Sequence, residues 1–379
     1  MILVITANRI TGLQYHRQIV PFRSLGLEVE YQPTEEGLTD DYLKKFSIIS
    51  VLRDIKYPEK YKKLGLKIHF DIDDYWVLPV SHGMCKIYKQ MDYANKTIYA
   101  LNQADFITTT TQYLADKIQS VIKPTHIIPI HVLPNAIDPY YTQWIPYNFE
   151  PSHERMRFGY IAGSHHQKDV EMLHPELIGL YNDKTVEHKW QLLAAGYNFT
   201  PNQDGTVTSN PYYKYIEKLF TCRITNSNAV SLLKKQYAEQ LNKEMLCEYR
   251  DMDEPYQRIN GKDVYSYGKL YDLIDVSMIP LVNNDFNRCK SQLKLIEAGF
   301  KKKACLVSDV IPYSLDKTKD NAMYVTDKEW RKSIKYLIMN PNKVEDLKES
   351  MYQYVNERYR IDIVNKERKQ IFESWLKLG

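Results

Sequence analysis

Asp275-Val276-Ser277-Met278-Ile279-Pro280-Leu281, then Asn284-Asp285-Phe286-Asn287-Arg288-Cys289-Lys290-Ser291-Gln292-Leu293-Lys294-Leu295-Ile296-Glu297-Ala298-Gly299, is the stretch on which the fold turns. An apolar run ends at a proline, a polar loop follows, and helical spacing begins near Cys289. A short buried strand that feeds a loop and a helix is the repeating unit of a parallel α/β sheet. The helix start would offer backbone N–H groups to an anion. Lys290 and Ser291 stand there, with Asn287 just before them. Glu297 follows Lys290 by seven residues, nearly two turns and about 10 Å along a helix axis. That separation suits a diphosphate at one end and a ribose diol at the other, because one carboxylate accepts two hydroxyl hydrogen bonds. The same pattern also fits an amphipathic helix with Lys290, Lys294 and Glu297 on its solvated face.

The alternation continues on both sides. Ile2–Ala7, Leu27–Tyr31, Ser47–Leu52, Lys67–Ile72 and Phe106–Thr109 read as strands, with helices at Gln14–Ser24, Met91–Gln103 and Thr111–Val121. A second series follows: Arg157–Ala162, Trp190–Ala195, Val276–Leu281, Ala304–Ser308 and Met323–Thr326. Pro139 to Arg155 holds three prolines and no clear period, and reads as a linker. The expected organisation is an α/β chain of two Rossmann-like parallel-sheet domains, 1–150 and 151–345, facing each other across a cleft, with C-terminal helices over 346–379 packing back towards the first domain. Ligands of such sheets bind beyond the carboxyl ends of the strands. The region Asn198–Lys262 is polar and tyrosine-rich; a helix near Ala229–Leu246 is the one element expected in it.

Composition narrows the function classes. The chain has 379 residues, 44% hydrophobic and 26% charged, enough for sizeable cores. Net charge is +4; residues 1–150 carry 16 basic and 16 acidic side chains, so the excess lies in the second part, where an anionic ligand is favoured. Five cysteines, Cys85, Cys222, Cys247, Cys289 and Cys305, lack metal-ligand spacing and read as reduced thiols of a cytoplasmic protein. The first residues are too short for a signal-peptide core, and no apolar run approaches the ~18 residues of a membrane span. No GxGxxG, Walker loop, HExxH or GxSxG occurs, which removes support from dehydrogenase, P-loop and common hydrolase readings.

Taken together, the segments resemble the retaining glycosyltransferases of the GT-B fold, family 4, in a bacterial and phage subgroup with the signature D-x-x-x-x-P-L … F-N-x-x-K-S-x-L-K-x-x-E. Five further stretches agree in order: Phe70-Asp71-Ile72-Asp73-Asp74, Ala104-Asp105-Phe106-Ile107-Thr108-Thr109-Thr110-Thr111, Val132-Leu133-Pro134-Asn135-Ala136-Ile137-Asp138, Gly163-Ser164-His165-His166-Gln167-Lys168-Asp169, and Ser308-Asp309-Val310-Ile311-Pro312-Tyr313. The resemblance covers nearly the whole chain outside Asn198–Lys262. It implies transfer of a sugar from a nucleoside diphosphate sugar, a UDP-sugar first, to a hydroxyl of a glycan or surface polysaccharide, with no cofactor and no metal. Gly163, Ser164, His166, Lys168, Asn287, Lys290, Ser291 and Glu297 are the implied donor-site residues. The chain departs from the family's E-x7-E pair, because Cys289 stands at the first position.

Other residues admit several roles. Asp73 and Asp74 would orient the acceptor hydroxyl or stabilise charge at the anomeric carbon; they equally fit caps of a following helix, or the Asp-x-Asp metal site of GT-A enzymes. The loop with Gly12, Tyr15, His16 and Arg17 is a place for acceptor or phosphate contacts, with His16 a catalytic candidate; an ordinary, partly buried histidine is the plainer reading. Arg53, Lys56, Lys60, Lys62, Lys63 and Lys67, interleaved with Tyr57 and Tyr61, fit either a solvated helix or a duplex-DNA track, the latter implying glycosylation of a hydroxylated base. A non-catalytic sugar-nucleotide or glycan binder is the alternative from another class.

Overall fold

The structure, a computed structural model, describes the chain apart from residues 124–126, 164, 198, 202–206, 210, 222–248, 250 and 378–379. The helix expected near Ala229–Leu246 and the candidate Ser164 lie outside the described residues. The chain forms two compact units. The first comprises Met1–Pro139, Asn283–Ile296 and Asn356–Gly379; the second comprises Tyr140–Val282 and Glu297–Val355.

The first unit is built on six parallel strands: β1 (Ile2–Ile5), β2 (Val29–Gln32), β3 (Ile48–Leu52), β4 (Lys67–Ile72), β5 (Phe106–Thr109) and β6 (Ile130–Val132), in the order β2-β1-β3-β4-β5-β6. Strands β1 and β5 are buried at every residue, as expected where helices cover both faces of a parallel sheet. The C-terminal helix Ile361–Leu376 packs onto this sheet, with Phe372 edge-on to Phe22 at 5.2 Å and to Phe106 at 5.3 Å.

The second unit holds β7 (Met156–Ile161), β8 (Trp190–Tyr197), a small antiparallel hairpin of β9 (Phe199–Pro201) and β10 (Val207–Ser209), then β11 (Tyr256–Asn260), β12 (Val276–Ile279), β13 (Ala304–Ser308) and β14 (Met323–Val325). Six of these make a parallel sheet in the order β11-β8-β7-β12-β13-β14. Renumbered within the unit this is 3-2-1-4-5-6, the doubly wound order of dinucleotide-binding folds. Its core joins Phe158, Leu192, Val276 and Leu306 to Val344 and Leu347 of the helix Pro341–Arg358.

Strand β11 lies inside the region that composition left unread. Its sequence, Tyr-Gln-Arg-Ile-Asn, is polar, yet its first four residues are buried. Arg258 is held by Glu217 of the helix Pro211–Thr221 at 3.3 Å, and Tyr256 donates to the same carboxylate at 3.2 Å. Buried charge neutralised by a partner hides such a strand from a hydrophobic pattern.

The strand order fixes where ligands fit. In an open parallel sheet, loops diverge where the order reverses. In the first unit this lies between β1 and β3, hence at the Gly12 loop and Arg53. In the second it lies between β7 and β12, hence at the Gly163 loop and Val282. Among the described residues, no helix is long and apolar enough to cross a membrane.

Candidate functional site

At the end of β3, Arg53 adopts a left-handed backbone (φ 65°), rare for a long side chain. Its guanidinium meets both carboxylates that follow β4: Asp73 Oδ1 at 3.0 and 2.7 Å, and Asp74 Oδ2 at 2.5 Å. Burial opposes the arginine's charge, but the carboxylates outweigh it, and its pKa is raised. Asp73 is pushed up by burial and by Asp74, against the pull of Arg53. The two aspartates do not cap a helix. The next helix is Cys85–Gln90, and their oxygens are taken by a guanidinium instead.

Lys290 belongs to the same unit by contact. Its ammonium lies 3.9 Å from Asp74 Oδ1 and 4.6 Å from the centre of the Phe286 ring. One cluster thus contains Arg53, Asp73, Asp74 and Lys290, two charges of each sign. The loop carrying Lys290 is anchored at its other side by Asp285, which accepts from Tyr113 and Lys117, each at 3.2 Å.

The helix expected from Cys289 is two helices. Asn284 caps the short helix Asp285–Arg288 by accepting from the Asn287 amide at 2.9 Å. The second, Leu293–Phe300, begins three residues beyond Lys290. Lys290 and Ser291 therefore lie on the bend before a helix, and the spacing of about 10 Å on one helical face to Glu297 does not apply. Asn287 is buried in the first short helix. Cys289, where the family pattern has an acid, packs fully buried in the first unit's core, and burial pushes its thiol up to about 12.

The Gly12 loop leads into the helical stretch 12–23, which widens into a π-turn over Tyr15–Ile19. That turn, a feature often found near functional sites, brings Tyr15, His16 and Arg17 inside the unit rather than onto its loop surface. Arg17 donates to Asp71 at 2.8 and 2.7 Å and to the Leu133 carbonyl at 2.8 Å. A Cβ at Gly12 or Gly163 would touch nothing within 4 Å, so neither glycine is demanded by its own packing.

In the second unit, Glu297 is buried and both its oxygens accept tyrosine hydroxyls, one from Tyr267 and one from Tyr271 at 2.8 Å. Both tyrosines sit on the 3-10 helix Tyr267–Leu273. The two hydroxyls fix the orientation of the carboxylate. At the switch point, Asp169 accepts from the Val282 amide at 2.8 Å and contacts His166 Nδ1 at 2.7 Å. The pair orients the imidazole on the loop after β7. Lys168 points elsewhere: it is exposed and pairs with Glu171 at 2.6 Å.

In the sequence Arg53 stands out only as one cation of the basic run, and Asp71, Asn135, Asp169, Tyr267 and Tyr271 are not among the donor or catalytic candidates. Asp71, Asn135 and Asp169 stood inside quoted motifs; the tyrosines carried no signal among the 31 in the chain. The basic run is largely neutralised. Arg53, Lys56, Lys60 and Lys67 pair with Asp73, Glu36, Asp40 and Asp105; Lys62 donates to Gln103; and Tyr61 is buried.

No protein-family model matches the chain, and no curated protein matches it in sequence. Solved structures do match in fold, over the full length. A sucrose-phosphate synthase from Thermosynechococcus elongatus superposes with a TM-score of 0.65 at 10% identity, covering 100% of this chain and 99% of its own. A glycosyltransferase from Rickettsia africae ESF-5 gives 0.61 at 12% identity, covering 100% and 99%. HepE of Anabaena, solved in complex with UDP, gives 0.61 at 11% identity, covering 98% and 99%. Two six-stranded parallel sheets, matched end to end, make this a GT-B fold, and the GT-A reading of Asp71-Ile72-Asp73-Asp74 falls with that result.

Proposed function

We propose that the chain is a glycosyltransferase that moves a sugar from a UDP-sugar to a hydroxyl of a glycan, with retention of configuration and without a metal. The observation that carries this reading is Lys290: an ammonium on the bend before a helix, beside an aspartate pair, in a fold shared with a protein solved with UDP. The retaining outcome and the surface-polysaccharide acceptor rest on the family-4 resemblance of the six segments.

In this reading the leaving diphosphate is met by Lys290, by the hydroxyl of Ser291 and by the first amides of the helix Leu293–Phe300. Glu297, held by its two tyrosines, receives the ribose hydroxyls. An incoming diphosphate competes with Asp74 for Lys290, because the resting contact of 3.9 Å is long. Asp73 and Asp74, steadied by Arg53, orient the acceptor hydroxyl. Ion pairing within most of the basic run favours the glycan reading over the DNA reading.

Incubating the protein with UDP-, GDP- and ADP-sugars, and following nucleotide release and thermal stabilisation, tests the proposal. Release of UDP from at least one sugar donor is expected. Stabilisation with no release from any donor would support the non-catalytic binder instead. A ligand at 100 times its dissociation constant adds about 2.7 kcal/mol, which is readily seen.

A further inference from the structure

A directed hydrogen-bond chain runs through the first unit to Ser291. Asp71 accepts from Arg17 Nε at 2.8 Å and Nη2 at 2.7 Å. Arg17 Nη1 also reaches Asn135 Oδ1 at 3.4 Å, and Asn135 Nδ2 lies 2.8 Å from Ser291 Oγ. Arg17, Asp71 and Asn135 are all buried.

The polarity of this chain follows from chemistry. A guanidinium only donates, so the Asn135 carbonyl oxygen must be the end that faces Arg17. The amide nitrogen then faces Ser291 and donates into its oxygen. With that acceptor position taken, the Ser291 hydroxyl is set to donate its own proton outward, and bonds in series strengthen one another. A serine so arranged can give its proton to an anionic oxygen, with one of its two acceptor positions already filled.

We infer that Asn135 is a positioning residue that fixes the Ser291 hydroxyl as a donor to a phosphate oxygen of the nucleotide. The inference rests on the donor reading of the 285–297 segment and deepens it. Arg17 and Asp71 act one step further back, by fixing which way the Asn135 amide points.

Asn135→Asp separates polarity from packing. The new carboxylate keeps the size and still accepts from Arg17, but it can only accept from Ser291. The serine proton then turns inward and its lone pairs face the ligand. Calorimetric titration with UDP, ADP and GDP is the measurement, with unfolding midpoints recorded alongside. Asn135→Asp is expected to weaken UDP binding at least about 10-fold, in the range of a hydrogen bond to a charged group, with the midpoint maintained. Asn135→Ala is expected to weaken it less. In a Ser291→Ala background most of the Asn135→Asp effect should vanish.

An undiminished Asn135→Asp effect in the Ser291→Ala background would show plain charge repulsion and overturn the inference while sparing the donor reading. So would unchanged UDP affinity in Asn135→Asp. Failure of the wild-type chain to bind any of the three nucleotides overturns the donor reading, and this inference with it.

Discussion

Arg17 and Asp71 form a two-pronged ion pair inside the first unit, at 2.8 and 2.7 Å, although 54 residues separate them in sequence. Asp71 also accepts from Thr108, and the arginine holds its carboxyl below the ordinary range in spite of burial, which acts the other way. Removing one member strands a buried charge. Asp71→Asn is expected to cost about 3–5 kcal/mol in urea unfolding. Because the folded pKa is depressed, the pair's contribution is fully present above the ordinary aspartate value of about 3.9 and is lost as pH falls through the lower folded value.

His69 gives a second pH dependence. Thr108 spends its proton on Asp71, so its oxygen accepts from His69 Nε2 at 2.8 Å, and Ser50 donates to Nδ1 at 2.8 Å. These contacts suit the neutral ring, and burial holds it neutral by lowering its pKa to about 3. Unfolded, the ring takes a proton near 6.5, so stability falls as pH drops below that value, by about 2 kcal/mol between pH 7 and 5 from this group. Comparing urea midpoints of wild type and His69→Gln across that interval isolates the contribution; equal slopes would remove it.

The hold on Glu297 predicts a split between affinity and rate. Tyr271→Phe deletes a buried donor to a carboxylate, a loss of about 1.5–3 kcal/mol in stability. If Glu297 holds ribose, Tyr271→Phe and Tyr267→Phe raise the KM for a UDP-sugar severalfold and change kcat less. Steady-state kinetics on both variants is the check.

Cys289 predicts a negative result. Restoring the family's acid by Cys289→Glu buries a carboxylate in the first unit's core, where Lys117 is already engaged by Asp285 and Asp74 also acts on the position. The expected outcome is a loss of about 3 kcal/mol or more and no gain in donor turnover. A stable, faster variant would show that the position still has a catalytic place.

How far the sequence carried depended on what signalled each feature. Strands such as Ile2–Ile5 and Val276–Ile279 were legible because burial on both faces leaves an apolar run. Strand β11 was not, because Arg258 is buried against Glu217, a partner about 40 residues away. The bend at Lys290 was hidden for another reason: Asn284 looks like any loop residue until its side chain is seen capping the helix Asp285–Arg288. Motif order brought out Asp73, Asp74 and Lys290 as site candidates. Arg53, which ties the two aspartates together, had been read as one cation in a basic run, since pairing across strands leaves no local pattern.

The central claim is that Lys290 stabilises the departing diphosphate. The direct test is UDP release from the best UDP-sugar by wild type, Lys290→Ala and Glu297→Ala, with unfolding midpoints measured in parallel. The account predicts a fall of about 100-fold or more in kcat for Lys290→Ala at an unchanged midpoint, the usual scale for removing one group that meets developing charge. Wild-type turnover in both variants would contradict it.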